Sequence, residues 1–273
     1  MHSVIKESLQ ELSHFPGREE GLRAIQRYSL YPTAFYRSSD FSHSKRVAWL
    51  LASLEPTITK VYRREFDMDQ ALTMALVHDD AELVIGDYQA GNKSKMTKEQ
   101  LAVLDEEERR AIVQMAARFP TQVHGHVYED MLLDVLNYGS VEAQVVKFVD
   151  RFDALGEALH ELYAGNVVFN TDITNEFGLI PLPFASYYKK LPQMLLQHQG
   201  LTPLTNMHPI FELPVQKDWD AVVSSGKPHT RHSFETPVGH PQYDAWKQVT
   251  LDAEDEEEID NLITQKEFPA PLI

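Results

Sequence analysis

Two imidazoles and several carboxylates are spaced along this chain as a metal ion would need them. The segment 75–87, ALVHDDAELVIGD, puts His78 and Asp79 at the end of an apolar run, with Glu82 four residues after His78 and Asp87 after a glycine. Asp79 lies seven residues after Leu72, so it continues the inward stripe of an amphipathic helix. Burying a carboxylate is costly unless something pairs with it, and a metal ion is a strong partner. Glu82 shares the face of His78 and Asp79. Earlier, His43 opens the apolar stripe of another helix; later, Asp150 interrupts the run KFVDRFDAL. Each has a plainer reading, His43 as a hydrogen-bonded core histidine and Asp150 as a salt-bridge partner of Lys147 or Arg151. Together, His43, His78, Asp79 and Asp150 offer two nitrogens and two carboxylates from three helices. That donor set suits a hydrolytic divalent ion with positions left open for water.

The elements that must carry these residues read as helices. In residues 43–54, His43, Val47, Leu50, Leu51 and Leu54 share one face, with Asp40 or Ser42 as cap. A second helix is expected over 69–83, capped by Asp67 or Asp69, with Met68, Leu72, Ala75 and Leu76 inward and Gly86 at its end. A third runs from Thr97 to Arg118, its DEEERR middle a solvated face, and a fourth from Ser140 to Tyr163. Shorter helices are expected over 19–28 and 184–197. Alternating runs are few, and neither a Gly-rich strand-to-helix turn nor an internal repeat is present. The expectation is an all-α bundle with a core over residues 1–199. Residues 200–273 form a C-terminal extension, irregular to about Pro241 and then acidic. Residues 252–260, DAEDEEEID, carry seven acids and no base, which reads as a solvated helix or tail, or as an interaction arm.

Composition narrows the classes. At 273 residues with 43% hydrophobic, the chain has enough apolar material for a large core. Having no cysteine excludes disulfides, cysteine-ligated zinc and thiol catalysis. A formal charge of −16, from 25 basic and 41 acidic residues, argues against nucleic acid as a main partner. No apolar run is long enough for a bilayer, and the N-terminal MHSVIKESLQELSHFPG lacks a signal-peptide layout, so a cytoplasmic protein is expected.

The order H, HD, D resembles the HD-domain metal-dependent phosphohydrolases, and the surrounding segments are most similar to their 5'-deoxynucleotidase branch. The matching pieces are AIQRYSL (24–30), SHS (42–44), HDDAELVIGD (78–87), VKFVDRFDAL (146–155) and AGN (164–166). The resemblance spans roughly residues 20–200 and implies an HD-domain helical bundle. It implies phosphate release from (deoxy)ribonucleoside 5'-monophosphates by a metal-activated water. It makes His43, His78, Asp79 and Asp150 the ligands of a divalent ion (Co, Mn, Mg, Fe, Ni or Zn). Glu82 becomes the acid–base residue and Asp87 its supporting acid. Arg27 becomes the phosphate-holding arginine, a planar and permanently charged fork. Tyr28 stands where the family has Trp and would face the base or sugar, or fill the core; Ser42 replaces the family's Glu. The resemblance also implies a homodimer.

Weaker signals remain. Lys95 would add positive charge for phosphate or be a surface lysine. His124-Gly125-His126 suits a surface loop, or a second metal as in an HD-family phosphodiesterase or nucleoside triphosphate hydrolase. His229, His232 and His240 read as surface residues. A non-catalytic nucleotide-binding module is a further alternative.

Overall fold

A computed structural model describes residues 2–28, 38–87, 93, 96–170, 173–175, 178–180, 183–212 and 237–251. The fold is all-α apart from two small hairpins. Its helices are α1 (Ser3–Leu12), α2 (Arg18–Ala24), α3 (Asp40–Ser53), α4 (Glu55–Tyr62), α5 (Met68–Val77), α6 (Glu82–Ile85) and α7 (Lys98–Arg118). After them come α8 (Tyr128–Asn137), α9 (Val141–Tyr163), α10 (Pro183–Gln197) and α11 (Pro241–Leu251). An antiparallel pair, β1 (Gln122–Val123) and β2 (His126–Val127), precedes α8; a second, β3 (Ile173–Asn175) and β4 (Gly178–Ile180), precedes α10.

Local chemistry sets most helix starts. Asp67, Thr97 and Ser140 accept backbone N–H bonds at the heads of α5, α7 and α9. The cap of α3 is Ser39, not Asp40 or Ser42. Ser39 and Ser42 form a reciprocal capping box, which leaves the Asp40 carboxylate free to turn inward.

The long α9 is the axis of the core. It packs against α3, α5, α8, α10 and α11, burying Val145, Val149, Phe152, Leu155 and Leu159. The stripe predicted for α3 is buried throughout.

Four further expectations need correction. The helix expected over 19–28 ends at Ala24, so Arg27 and Tyr28 lie in the turn beyond it. That turn is pinned to the start of α3 by backbone bonds, Arg27 N–H to Ser38 O (3.0 Å) and Asp40 N–H to Ile25 O (3.2 Å). The helix expected over 69–83 stops at Val77, and residues 78–81 form tight turns before α6. The extension is not irregular throughout: Leu204, Ile210 and Phe211 are buried, Phe211 stacks on Phe148, and α11 packs on α9 and α3. His240, expected at the surface, is buried at the head of α11. His229, His232 and the acidic run 252–260 lie outside the described residues. Among the described residues, no helix is long and apolar enough to cross a membrane.

Candidate metal centre

Stopping α5 at Val77 delivers His78 and Asp79 to the head of a cleft instead of continuing them around a helix. His78 turns back on its own helix, Nδ1 donating to the Ala75 carbonyl (2.8 Å), which fixes the ring with Nε2 directed at the carboxylates. His43, on the inner face of α3, is held the same way by Asp153: Nδ1 lies 2.7 Å from Asp153 Oδ2. Both Nε2 atoms are buried without a hydrogen-bond partner.

They converge on carboxylates. Asp79 Oδ2 lies 3.4 Å from His43 Nε2 and 3.2 Å from His78 Nε2; Asp150 Oδ1 lies 3.4 Å from His43 Nε2. Donor atoms of His43, His78 and Asp150 all fall within 4.8 Å of one another. Two buried imidazole nitrogens with no partner, facing two carboxylates, form a donor set that fits a divalent cation. Asp150 also makes the ion pairs its plainer reading expects, with Lys147 (3.0 Å) and Arg151 (3.7 Å) on Oδ2, which leaves Oδ1 facing His43.

The electrostatics divide the acids. Burial would raise Asp79 and Asp150, yet His78 holds the first, and Arg151 and Lys147 the second, well below the usual carboxylate range. Burial and Arg27 oppose protonation of His43, but Asp150 and Asp153 hold its pKa up at about 9. Burial, then Asp79, push Asp40 up to about 7. Burial together with Asp79 and Asp40 raises Glu82 well above the ordinary range. Asp87 is also raised by burial. The environment thus favours the ionised form of the ligand-like acids and the protonated form of Glu82.

The cleft above this floor has a cavity volume of about 40 Å³ and opens to solvent. Arg27, Tyr28, Glu82, Asp87, Lys147 and Arg151 are among the residues that line it. Arg27 Nε is tied to Glu157 (3.2 Å), and Nη1 stands 3.9 Å from both Asp40 and Asp79. Tyr28 is both a core and a cleft residue. Its hydroxyl donates to the Ala154 carbonyl (2.7 Å), its ring faces Phe169, and its φ of 53° places it in the left-handed region. A non-glycine residue there costs about 1–3 kcal/mol, so the surrounding contacts must enforce the turn.

The second aspartate of the HDD run serves the fold. Asp80 is forked by Arg18 (2.7 Å to each oxygen) and accepts the Tyr128 hydroxyl (2.7 Å), while Arg18 also reaches Leu76 O (2.6 Å). His124 and His126 flank the β1–β2 turn. His124 faces Glu7 of α1 at 3.6 Å, and its N–H bonds Glu11, so the pair borders α1. Lys95 lies outside the described residues; Lys93 lines the cleft. Sequence reasoning missed Arg46, Asp153, Glu157 and the inward role of Asp40. A signal existed: Asp153 and Glu157 repeat the face of Asp150 at three and seven residues, as Arg46 does for His43.

Among curated proteins, a 5'-deoxynucleotidase of Pasteurella multocida (strain Pm70) is 30% identical over 162 residues, 58% of this chain and 80% of that protein. Among solved structures, a conserved hypothetical protein from Pyrococcus furiosus aligns over 68% of this chain and 93% of its own, with a TM-score of 0.47 and 19% identity. Residues 14–180 match the family described as 5'-deoxynucleotidase YfbR-like, and to that family the chain belongs.

Proposed function

We propose that this protein is a metal-dependent phosphomonoesterase that releases phosphate from (deoxy)ribonucleoside 5'-monophosphates. One observation carries the reading: two imidazole nitrogens without a hydrogen-bond partner meet Asp79 and Asp150 on the floor of a cleft whose walls include Arg27, Lys93, Lys147 and Arg151. The 5'-deoxynucleotidase of P. multocida supports the choice of substrate class.

In this reading His43, His78, Asp79 and Asp150 hold a divalent ion (Co, Mn, Mg, Fe, Ni or Zn). When bound, such an ion lowers the pKa of water and offsets charge on phosphoryl oxygens. Arg27, oriented by Glu157, together with Lys147 and Arg151, lines the cleft with positive charge for the phosphate dianion. Glu82 holds its proton because burial and the nearby Asp79 and Asp40 oppose its ionisation. A protonated carboxyl suits the leaving 5'-oxygen, which departs as an alkoxide needing a proton. Asp87 adds negative charge beside Glu82 and helps keep that proton in place. Tyr28, fixed by Ala154, presents a rigid ring to the nucleoside. The protein acts as a cytoplasmic homodimer in the same reading, and sedimentation tests that part.

The test is phosphate release from nucleoside mono-, di- and triphosphates by metal-stripped protein with Co, Mn, Mg, Ni or Zn returned in turn. Ion-dependent release from monophosphates, lost in Glu82→Ala and Asp79→Ala, is the expected result. No release from monophosphates by protein that retains its ion would sink the proposal.

A further inference from the structure

Asp153 is a buried carboxylate with all its acceptor capacity in use. Oδ2 lies 2.7 Å from His43 Nδ1 and accepts Arg46 Nη2 at 2.9 Å; Oδ1 accepts Arg46 Nε at 3.1 Å and the indole N–H of Trp246 at 2.7 Å. His43, Asp153 and Trp246 are each fully buried, so no solvent water replaces a lost donor. The tryptophan comes from α11, which lies beyond the 14–180 span of the family match.

The placement of Trp246 is specified from both sides. On α9, a Cβ at Gly156 would collide with the indole, so a glycine there is what lets the ring lie against the helix. On α11, the Asp244 carboxylate accepts the N–H groups of Val238, Gly239 and His240 (2.8, 2.8 and 3.1 Å) and fixes the entry turn. His240 Nδ1 accepts the Tyr243 N–H (3.2 Å), and Pro241 supplies the first helical position. One turn from Trp246, Tyr243 stacks on Tyr163 with centroids 4.7 Å apart.

We infer that Trp246 is a positioning residue of the metal centre: its N–H orients Asp153, which holds the His43 ring so that Nε2 faces Asp79 and Asp150. The inference rests on the reading of His43 as an ion ligand. Carboxylate partners of ligating histidines fix ring orientation and raise ligand basicity. Here the carboxylate is itself steered from one side by Arg46 and from the other by a helix outside the matched region. Without the indole donor, Oδ1 keeps only the longer Arg46 Nε bond, and the carboxylate is free to rotate toward that guanidinium and away from His43. The same network reaches the cleft wall, because Arg46 Nη2 also donates to Glu157 (2.5 Å), the residue that anchors Arg27.

The experiment compares full-length wild type, Trp246→Phe, Gly156→Ala and Asp153→Asn. Trp246→Phe retains an aromatic ring but lacks the donor; Gly156→Ala keeps the indole but pushes it off α9. Cobalt affinity of metal-stripped protein is read by calorimetry, the ligand field of the cobalt-loaded protein by its visible absorption, and folding by thermal melts. The expected result is cobalt affinity about 10–100-fold weaker in Asp153→Asn, the range for such partners, and at least several-fold weaker in Trp246→Phe and Gly156→Ala. The visible band should shift in each, while Trp246→Phe melts near wild type. Wild-type cobalt affinity and spectrum in Trp246→Phe would overturn the inference, whatever its melting temperature. A wild type that binds no cobalt or other divalent ion would overturn the reading of His43 itself, so the two failures are distinguishable.

Discussion

Asp79 and Asp80 are consecutive and buried, yet they hold different things, so an Asn at each separates the fold from the site. Among the described residues, Asp80 is the sole carboxylate on the Arg18 fork, and both side chains are at most 2% exposed. In Asp80→Asn the guanidinium stays buried with an amide oxygen and Leu76 O in place of an anion. Removing one partner of a buried ion pair costs about 3–5 kcal/mol. At about 2–4 °C per kcal/mol for a domain of this size, Tm should fall by about 6–20 °C. Asp80→Ala should fall further, because the Tyr128 hydroxyl also loses its acceptor, worth about 1–3 kcal/mol. The double variant Arg18→Met, Asp80→Leu should recover much of the loss, since apolar residues of similar volume often replace a buried pair at little cost. Asp79→Asn should act at the site instead: bound ion and phosphate release are lost, because Asp79 Oδ2 is the oxygen that faces both His43 Nε2 and His78 Nε2. Differential scanning calorimetry with ion analysis of the same samples reads both arms. A Tm for Asp80→Asn within about 2 °C of wild type, under roughly 1 kcal/mol, refutes the division.

Three further outcomes are expected. Glu82→Gln should slow phosphate release about 10²–10⁴-fold, the range for a lost general acid, with bound metal unchanged; a loss of metal would make Glu82 a ligand instead. Lys190 should couple phosphate binding to proton uptake, because Arg151, burial and Lys147 push its pKa down to about 7. At pH 8 the folded protein therefore holds this amine mostly neutral, and an anion beside those cations raises its pKa, so binding draws a proton in; at pH 6, where the amine is already charged, uptake should vanish. Calorimetry of inorganic phosphate in two buffers of different ionisation enthalpy reads this, and equal heats at pH 8 would contradict it. Ser39→Ala should cost about 0.5–2 kcal/mol in urea unfolding, the usual worth of an N-cap, and no change would show that the α3 capping box is idle.

What the sequence makes legible is what local rules govern. Thr97 and Ser140 announce helix starts because capping involves three neighbouring residues. The His43 and Asp150 helices are legible because long apolar stripes run beside their buried polar residues. Of the helices not expected, α1 and α11 carry polar groups on their buried faces. In α1, Ser8 stands in the stripe of Val4, Ile5 and Leu12 and pairs with Thr73 across the core (3.3 Å). In α11, Gln242, Lys247 and Thr250 are buried beside Tyr243 and Trp246, so the face reads as mixed. Ser8 takes its partner from a distant element, which a window of sequence does not contain, whereas Lys247 and Thr250 also bond within α11, to Asp244 and the Trp246 carbonyl.

The end of α5 follows the same logic and accounts for the crowded acids. Nothing between Val77 and Glu82 is a helix breaker, and the helical period runs through unbroken. What stops the helix is distributed over the bundle. Arg18 and Tyr128 draw Asp80 to one side, His43 and Arg27 meet Asp79 on the other, and His78 takes up the Ala75 carbonyl. The backbone responds with tight bonds, Asp80 N–H to Val77 O (2.9 Å) and Glu82 N–H to Asp79 O (2.9 Å). Consecutive residues thereby point to different partners, which a continued helix would not let them reach. The run HDD is therefore one structural acid beside one candidate ligand, and the difference between them lies in residues 18, 43 and 128, far away in sequence.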